Sequence, residues 1–229
     1  MTDYLVFTLS ATIGAMGDLA GHERRGSHLW PGRSAVTGLL GAALGLRRED
    51  DFSDLDELGL AVAPFVSGSE HVVRDYHTVE TVPSAKARHP NSRPEALRMA
   101  GRTTNTTITL RDYRTGLLFG VALWGGGKLE HLRAALEEPV FALYFGRKSC
   151  PLSAPVAPRL ISERSPEAAL AHVRLPYWQD GAFATHLITD FEEGDTHIET
   201  RHDCAVDREK WHFAARRVAY RPVDIRPET

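Results

Sequence analysis

The chain has 229 residues, 42% of them hydrophobic and 25% charged, which suits one large domain or two small ones with a packed core. A formal net charge of −3 excludes a polycation, so any nucleic-acid surface has to be a local patch offset by acidic stretches such as residues 48–57. Two cysteines, Cys150 and Cys204, exclude a disulfide framework, and no apolar run reaches the roughly 20 residues of a membrane span. The start of the chain is too short in apolar residues and too acidic for a signal peptide, so the expectation is a cytoplasmic protein with no membrane partner.

Residues 4–9, YLVFTL, predict a buried opening strand. The glycine-rich and basic stretch 10–32 reads as a long surface loop carrying Arg24 and Arg25. Residues 33–48 predict a helix with an apolar face from Val36 to Leu46, opened by Arg33 and capped by Ser34. Residues 58–66 predict a second strand. From 74 to about 114 the chain turns polar and rich in Arg, Pro, Thr and His. The segment is too long for an ordinary loop, and residues 82–110 hold too few large apolar side chains to bury a core of their own, which predicts a partner-dependent arm. A strand follows at 117–124, a helix at 128–138 and a strand at 139–146. The succession strand, helix, strand, strand, helix, strand is the α+β, ferredoxin-like βαββαβ pattern shared by RNA-recognition domains. On this reading residues 1–150 are the RNA-binding domain. The proline-spaced 151–158 form a linker, and the rest of 151–229 forms a small strand-rich unit with strands near 183–191, 196–203 and 217–225.

The stretch FGRKSCPLSAP, residues 145–155, sets two cations beside a thiol. A nucleophilic Cys150 needs a base that no nearby residue supplies, and the proline after it favours a packed structural cysteine. Arg147 and Lys148 beside Gly146 suit a phosphate backbone, or are solvated surface charge. Residues 74–81, RDYHTVET, offer Arg74 for phosphate and Tyr76 or His77 for base stacking, or an acid–base histidine with a cation for RNA cleavage, or a plain polar strand. The helix start near Arg33 reads as a phosphate site that could meet Arg24, Arg25, Arg147 and Lys148. Eleven histidines raise a metal reading, but His197 and His202 have neither helical nor clip spacing, so no metal or cofactor is expected.

The segments PGRSAVTGLLGAALGLRRED (31–50), VRDYHTVET (73–81), RDYRTGLLFGVALW (111–124) and LYFGRKSCPLSAP (143–155), in this order, resemble the CasD family of type I-E CRISPR Cascade subunits, within the RAMP group of RNA binders. REKW at 208–211 extends the match. The resemblance implies a ferredoxin-like domain with a protruding thumb at about 74–114. It implies a non-catalytic role, capping the 5′ handle of the crRNA beside a CasC-type backbone subunit and a CasA-type large subunit, near the PAM-proximal end of the target DNA. Arg102, Arg111 and Arg114 of the thumb would touch RNA. The rival reading is a metal-independent repeat endoribonuclease using His77 or another histidine with Tyr76 and Lys148.

Overall fold

The computed structural model describes residues 1–20, 23–66, 71–83, 85–86, 89–210 and 212–227, and of 18–20 the backbone only. His22 in the basic loop and Trp211 in the REKW match lie outside the described residues.

The strands are β1 (Thr2–Gly14), β2 (Gly17–Ala20), β3 (Arg24–Ser27), β4 (Gly59–Pro64), β5 (Val72–Thr81), β6 (Asn105–Trp124), β7 (Arg159–Glu163), β8 (Ala184–Asp190), β9 (Ile198–Asp207) and β10 (His212–Ile225). The helices are α1 (Arg33–Leu44), α2 (Ser53–Asp56), α3 (Arg93–Ala100), α4 (Leu129–Glu137) and α5 (Pro166–Leu170). The fold is mixed α/β around one large sheet, antiparallel except where β3 runs parallel to β6.

The sheet centres on the opening strand, as the unbroken apolar run of β1 predicts. β1 pairs antiparallel with β6 on one side and β7 on the other, and β6 pairs in turn with β4. Strand alternation divides the interior into two layers. Leu5, Phe7, Leu117, Phe119, Val121 and Leu123 face α1 and α4 and pack with Leu40 and Leu132. Val6, Leu118 and Ala122 face the other way, onto Leu170 of α5, Val173 and Leu187.

Three sequence expectations are corrected. Residues 139–146 form no strand, although the run is apolar. Pro139 has no N–H, and the next two donors are spent elsewhere: the Val140 and Phe141 N–H groups reach the Ala43 and Ala42 carbonyls at 3.0 and 3.1 Å. The segment thus closes the C-terminal end of α1, beside Gly45 in the left-handed conformation at φ 80°. The free side of β1 is filled by β7, from beyond the proline-rich stretch. Second, α1 ends at Leu44, where that closure stops it. Third, stretch 10–32 is no simple loop, since β1 continues to Gly14 and β2 and β3 follow.

Segment 74–114 contains two strands and a helix among its described residues. β5 pairs along its whole length with the first half of β6, from Val72 opposite Arg114 to Thr81 opposite Asn105. α3 stands in the connection. The Ser92 hydroxyl accepts from the Glu95 N–H, the Glu95 carboxylate accepts from the Asn91 N–H at 2.9 Å, and the Arg93 guanidinium donates to the Glu80 carbonyl at 2.8 Å. Local caps and ladder bonds supply the order that a core does not.

The C-terminal strands extend the same sheet, because β8 pairs with β4 and β10 pairs with β8. No helix is long and apolar enough to cross a membrane among the described residues.

Candidate nucleic-acid interface

Arg33 opens α1 but does not reach the surface. It is 7% exposed, and its guanidinium donates to Asp190 at 2.6 Å and to the Leu58 carbonyl at 2.7 Å. Its own N–H is held by the Asp203 carboxylate at 2.7 Å. Arg216 completes the network by bonding both aspartates at 2.7 Å. The helix start predicted as a phosphate site already holds an anion, the side chain of Asp203, and Arg33 is withdrawn from the basic surface. Burial raises the Asp203 carboxyl, but Arg216 and the Arg33 N–H outweigh it and hold the group below the usual carboxylate range. The HDC motif at 202–204 has its aspartate committed here, which removes it as a metal ligand.

Six other arginines meet at the base of the arm, where β3 joins β6. The register sets Arg24 beside Leu110, Arg25 beside Arg111, Arg74 opposite Asp112 and Arg114 opposite Gly14. Alternation sorts them onto two faces. On one, Asp112 accepts from Arg74 at 2.7 and 3.1 Å and from Arg24 at 3.3 Å. Asp112 is buried, both guanidiniums are partly exposed, and the Arg74 bonds hold the carboxyl below its ordinary range. One carboxylate therefore positions two cations without covering them.

On the other face, Arg111 and Tyr113 follow one another along β6, and the Arg147 guanidinium lies 4.4 Å from the Tyr113 ring centre. Arg111 Nε and Arg147 Nη1 are both closed off from solvent and have no hydrogen-bond partner among the described residues. Buried donors of this kind are rare in folded chains. Asp75 stands opposite Arg111 in the register and is the acidic residue of this face at that level.

Arg147 is set there by the turn before it. Gly146 has φ 81°, and a Cβ at this position would lie 1.7 Å from the Ala15 carbonyl oxygen, so only glycine lets this turn lie against the end of β1. Lys148 is exposed on the same turn. Its side lines a cleft of about 740 Å³ beside α1, whose charged lining residues are Arg47, Arg48, Lys148 and Arg208, all cations. Cys150 is 0% exposed, within the core cluster, and its N–H donates to the Arg147 carbonyl at 2.8 Å. Its surroundings are those of a packed thiol.

Tyr76 and His77 are both exposed but are neighbours on β5, so they point to opposite faces. They do not form one stacking platform, and the trio Tyr76, His77 and Lys148 is not gathered on one face. Tyr76 shares the face of Arg74 and Asp112. Arg102 follows α3 at the far end of the arm, beyond Asn105, which is roughly 23 Å along the strand from Asp112 at about 3.3 Å per residue.

Sequence reasoning missed Tyr113, Asp112 and three of the cleft's cations, Arg47, Arg48 and Arg208. The parity of β6 is the signal that finds the first two: Arg111, Tyr113 and Leu117 share one face, and Asp112 and Arg114 the other.

Residues 4–219 match the model of the family described as CRISPR-associated protein (Cas_Cas5). The chain is 32% identical over 185 residues to the CRISPR system Cascade subunit CasD of Escherichia coli (strain K12), covering 74% of this chain and 76% of that protein. Among solved structures, it is similar to one described as a crystal structure of a Cas protein, with a TM-score of 0.67 at 27% identity, over 99% of this chain and 98% of that one. A chain from a CRISPR RNA-guided surveillance complex has the same TM-score of 0.67 at 21% identity, over 97% of this chain and 90% of the other, a likeness of fold.

Proposed function

The chain belongs to this CRISPR-associated family, and from that premise we propose that it is a non-catalytic Cascade subunit that binds and caps the 5′ handle of the crRNA. The observation that carries the reading is the pair of solvent-excluded donors, Arg111 Nε and Arg147 Nη1, flanking Tyr113 without an acceptor. A phosphate supplies such an acceptor, and its charge offsets the surplus of arginines at the base of the arm.

Arg24, Arg25, Arg74, Arg111, Arg114, Arg147 and Lys148 form the backbone-binding set. Tyr76 stacks on a splayed base from the face of Arg74, His77 contacts RNA from the other, and Arg102 acts further out along the arm. The antiparallel order β7–β1–β6–β4 supports a ferredoxin-like body in residues 1–150, completed by a strand from the C-terminal segment, with the β5–β6 hairpin as its thumb. Residues 151–229 brace that body. The neighbours on this reading are a CasC-type backbone subunit and a CasA-type large subunit, with target DNA reached through the complex.

The test is binding of labelled 5′-handle RNA to the full chain across a salt series. The double substitution Arg111→Ala and Arg147→Ala is expected to weaken binding about tenfold or more. It also lowers the slope of log affinity against log salt by about 1.4, the contribution of two phosphate contacts on a single strand. Unchanged affinity and slope refute the assignment. Repeat RNA incubated with the wild-type chain in EDTA is expected to stay intact, and cleavage would support the endoribonuclease instead.

A further inference from the structure

Two opposite-charge pairs stand next to each other across β5 and β6, and alternation puts one on each face of the arm. Arg74 is opposite Asp112, and Asp75 is opposite Arg111. The first pair is closed by bonds of 2.7 and 3.1 Å. The second is open, although opposite charges facing each other across a strand pair ordinarily meet. Asp75 is half-buried, and its carboxylate accepts no hydrogen bond and joins no ion pair among the described residues. Arg111 is half-buried as well, makes no side-chain bond among those residues, and has its Nε closed off from solvent. A carboxylate and a guanidinium are thus held side by side with their hydrogen-bonding edges unspent.

The neighbours do not close the pair. Arg25 of β3 lies in register with Arg111 on its other side and is exposed, so a carboxylate and two guanidiniums run in a row across three strands. Two residues along β5, roughly 7 Å away, the exposed His77 stands on the same face. On the other side of the row Arg147 covers Tyr113. A backbone phosphate suits the guanidiniums but carries only acceptors, and Asp75 repels it. What satisfies both members of the pair is an edge with donors beside acceptors. Guanine has this edge: its N1–H and N2 amino group are adjacent donors for the two oxygens of one carboxylate, and its O6 and N7 accept from one guanidinium. Adenine, cytosine, uracil and a ribose 2′-hydroxyl each offer a single donor group and leave one carboxylate oxygen unfilled.

We propose that Asp75 is a specificity-determining residue that, with Arg111, reads one guanine of the bound RNA. Asp75 accepts from N1–H and the N2 amino group. Arg111 donates to O6 and N7 through its Nη groups, which leaves its Nε for phosphate. The proposal rests on the RNA-binding role set out above, and it adds base selectivity to a surface otherwise built for the backbone.

The test titrates the full chain, wild type, Asp75→Ala or Asp75→Asn, with oligouridylates of one length that carry a single guanosine, inosine, adenosine or deoxyguanosine. Asp75→Asn keeps the side-chain shape should the alanine variant fail to fold. Wild type is expected to bind the guanosine and deoxyguanosine oligomers equally, and about tenfold more tightly than the inosine and adenosine ones. Either substitution is expected to remove that preference and to strengthen binding of plain oligouridylate, because a negative charge leaves a phosphate-binding surface. Equal affinity of wild type for every oligomer overturns the proposal and leaves the phosphate role of the arginines standing. A preference kept with inosine but lost with deoxyguanosine overturns it in favour of ribose recognition. A guanosine preference that survives both substitutions belongs to other residues and overturns it as well. A wild-type chain that binds none of the oligomers refutes the RNA-binding role itself, and this proposal with it.

Discussion

Two clusters of arginines stand on the same sheet and use the same side chain for opposite ends. At the start of α1, Arg33 and Arg216 meet Asp190 and Asp203, two cations against two carboxylates, with the guanidinium bonds turned inward. At the base of the arm, Arg24, Arg25, Arg74, Arg111, Arg114 and Arg147 meet Asp112 and Asp75, and two buried donors are left open. The first cluster is closed and joins α1, β8, β9 and β10. The second holds more guanidiniums than carboxylates. Whether an arginine serves structure or ligand is decided by the carboxylates the fold brings to it.

The sharpest way to break this comparison is Arg33→Ala. Removing one member of a buried ion-pair network leaves uncompensated charge, with an expected loss of about 3–5 kcal/mol in denaturant unfolding. RNA affinity of the folded fraction should be unchanged. A loss below about 1 kcal/mol, or a lowered salt slope of RNA binding, would place Arg33 in the open cluster.

Acid separates the clusters next. The folded-state pKa of Asp203 is depressed, so its contribution to stability is fully present above the unfolded carboxylate value near 4 and is lost as pH falls through the folded value. Asp112 is depressed by Arg74 in the same direction. Asp203→Asn is expected to cost stability at pH 7 and to flatten the decline of urea midpoints below about pH 4. A variant whose midpoints fall in parallel with wild type would show that Asp203 carries no such linkage.

The smallest effect is expected at Cys150, whose thiol is sealed in the core although Arg147 and Lys148 precede it closely. Cys150→Ser buries a hydroxyl in place of a thiol and should cost about 1–2 kcal/mol while RNA binding survives. Abolished binding in a variant with native unfolding behaviour would return the thiol to the functional set.

Much of this was legible beforehand where local chemistry is decisive. The unbroken apolar run of β1, the helical spacing of α1 and α4, the glycine at 146 and the proline after Cys150 state their roles in the residues themselves. The meeting of Arg24, Arg25, Arg111, Arg114 and Arg147, by contrast, joins three distant stretches of the chain. Even the opposite facing of Tyr76 and His77 follows from the period of two in a strand, once the strand is granted.

What tertiary structure alone decided is where non-local partners compete for the same groups. The apolar run at 139–146 reads as a strand until the α1 carbonyls claim its N–H groups, about a hundred residues back in the chain. Arg33 reads as a phosphate ligand until Asp190 and Asp203 arrive from 157 and 170 residues away. The sequence by itself determined which residues could be strand, helix or cation, because those are properties of local geometry and side-chain chemistry. Only the fold decided which hydrogen bonds were closed internally and which stayed open, because a donor's partner is set by packing in space.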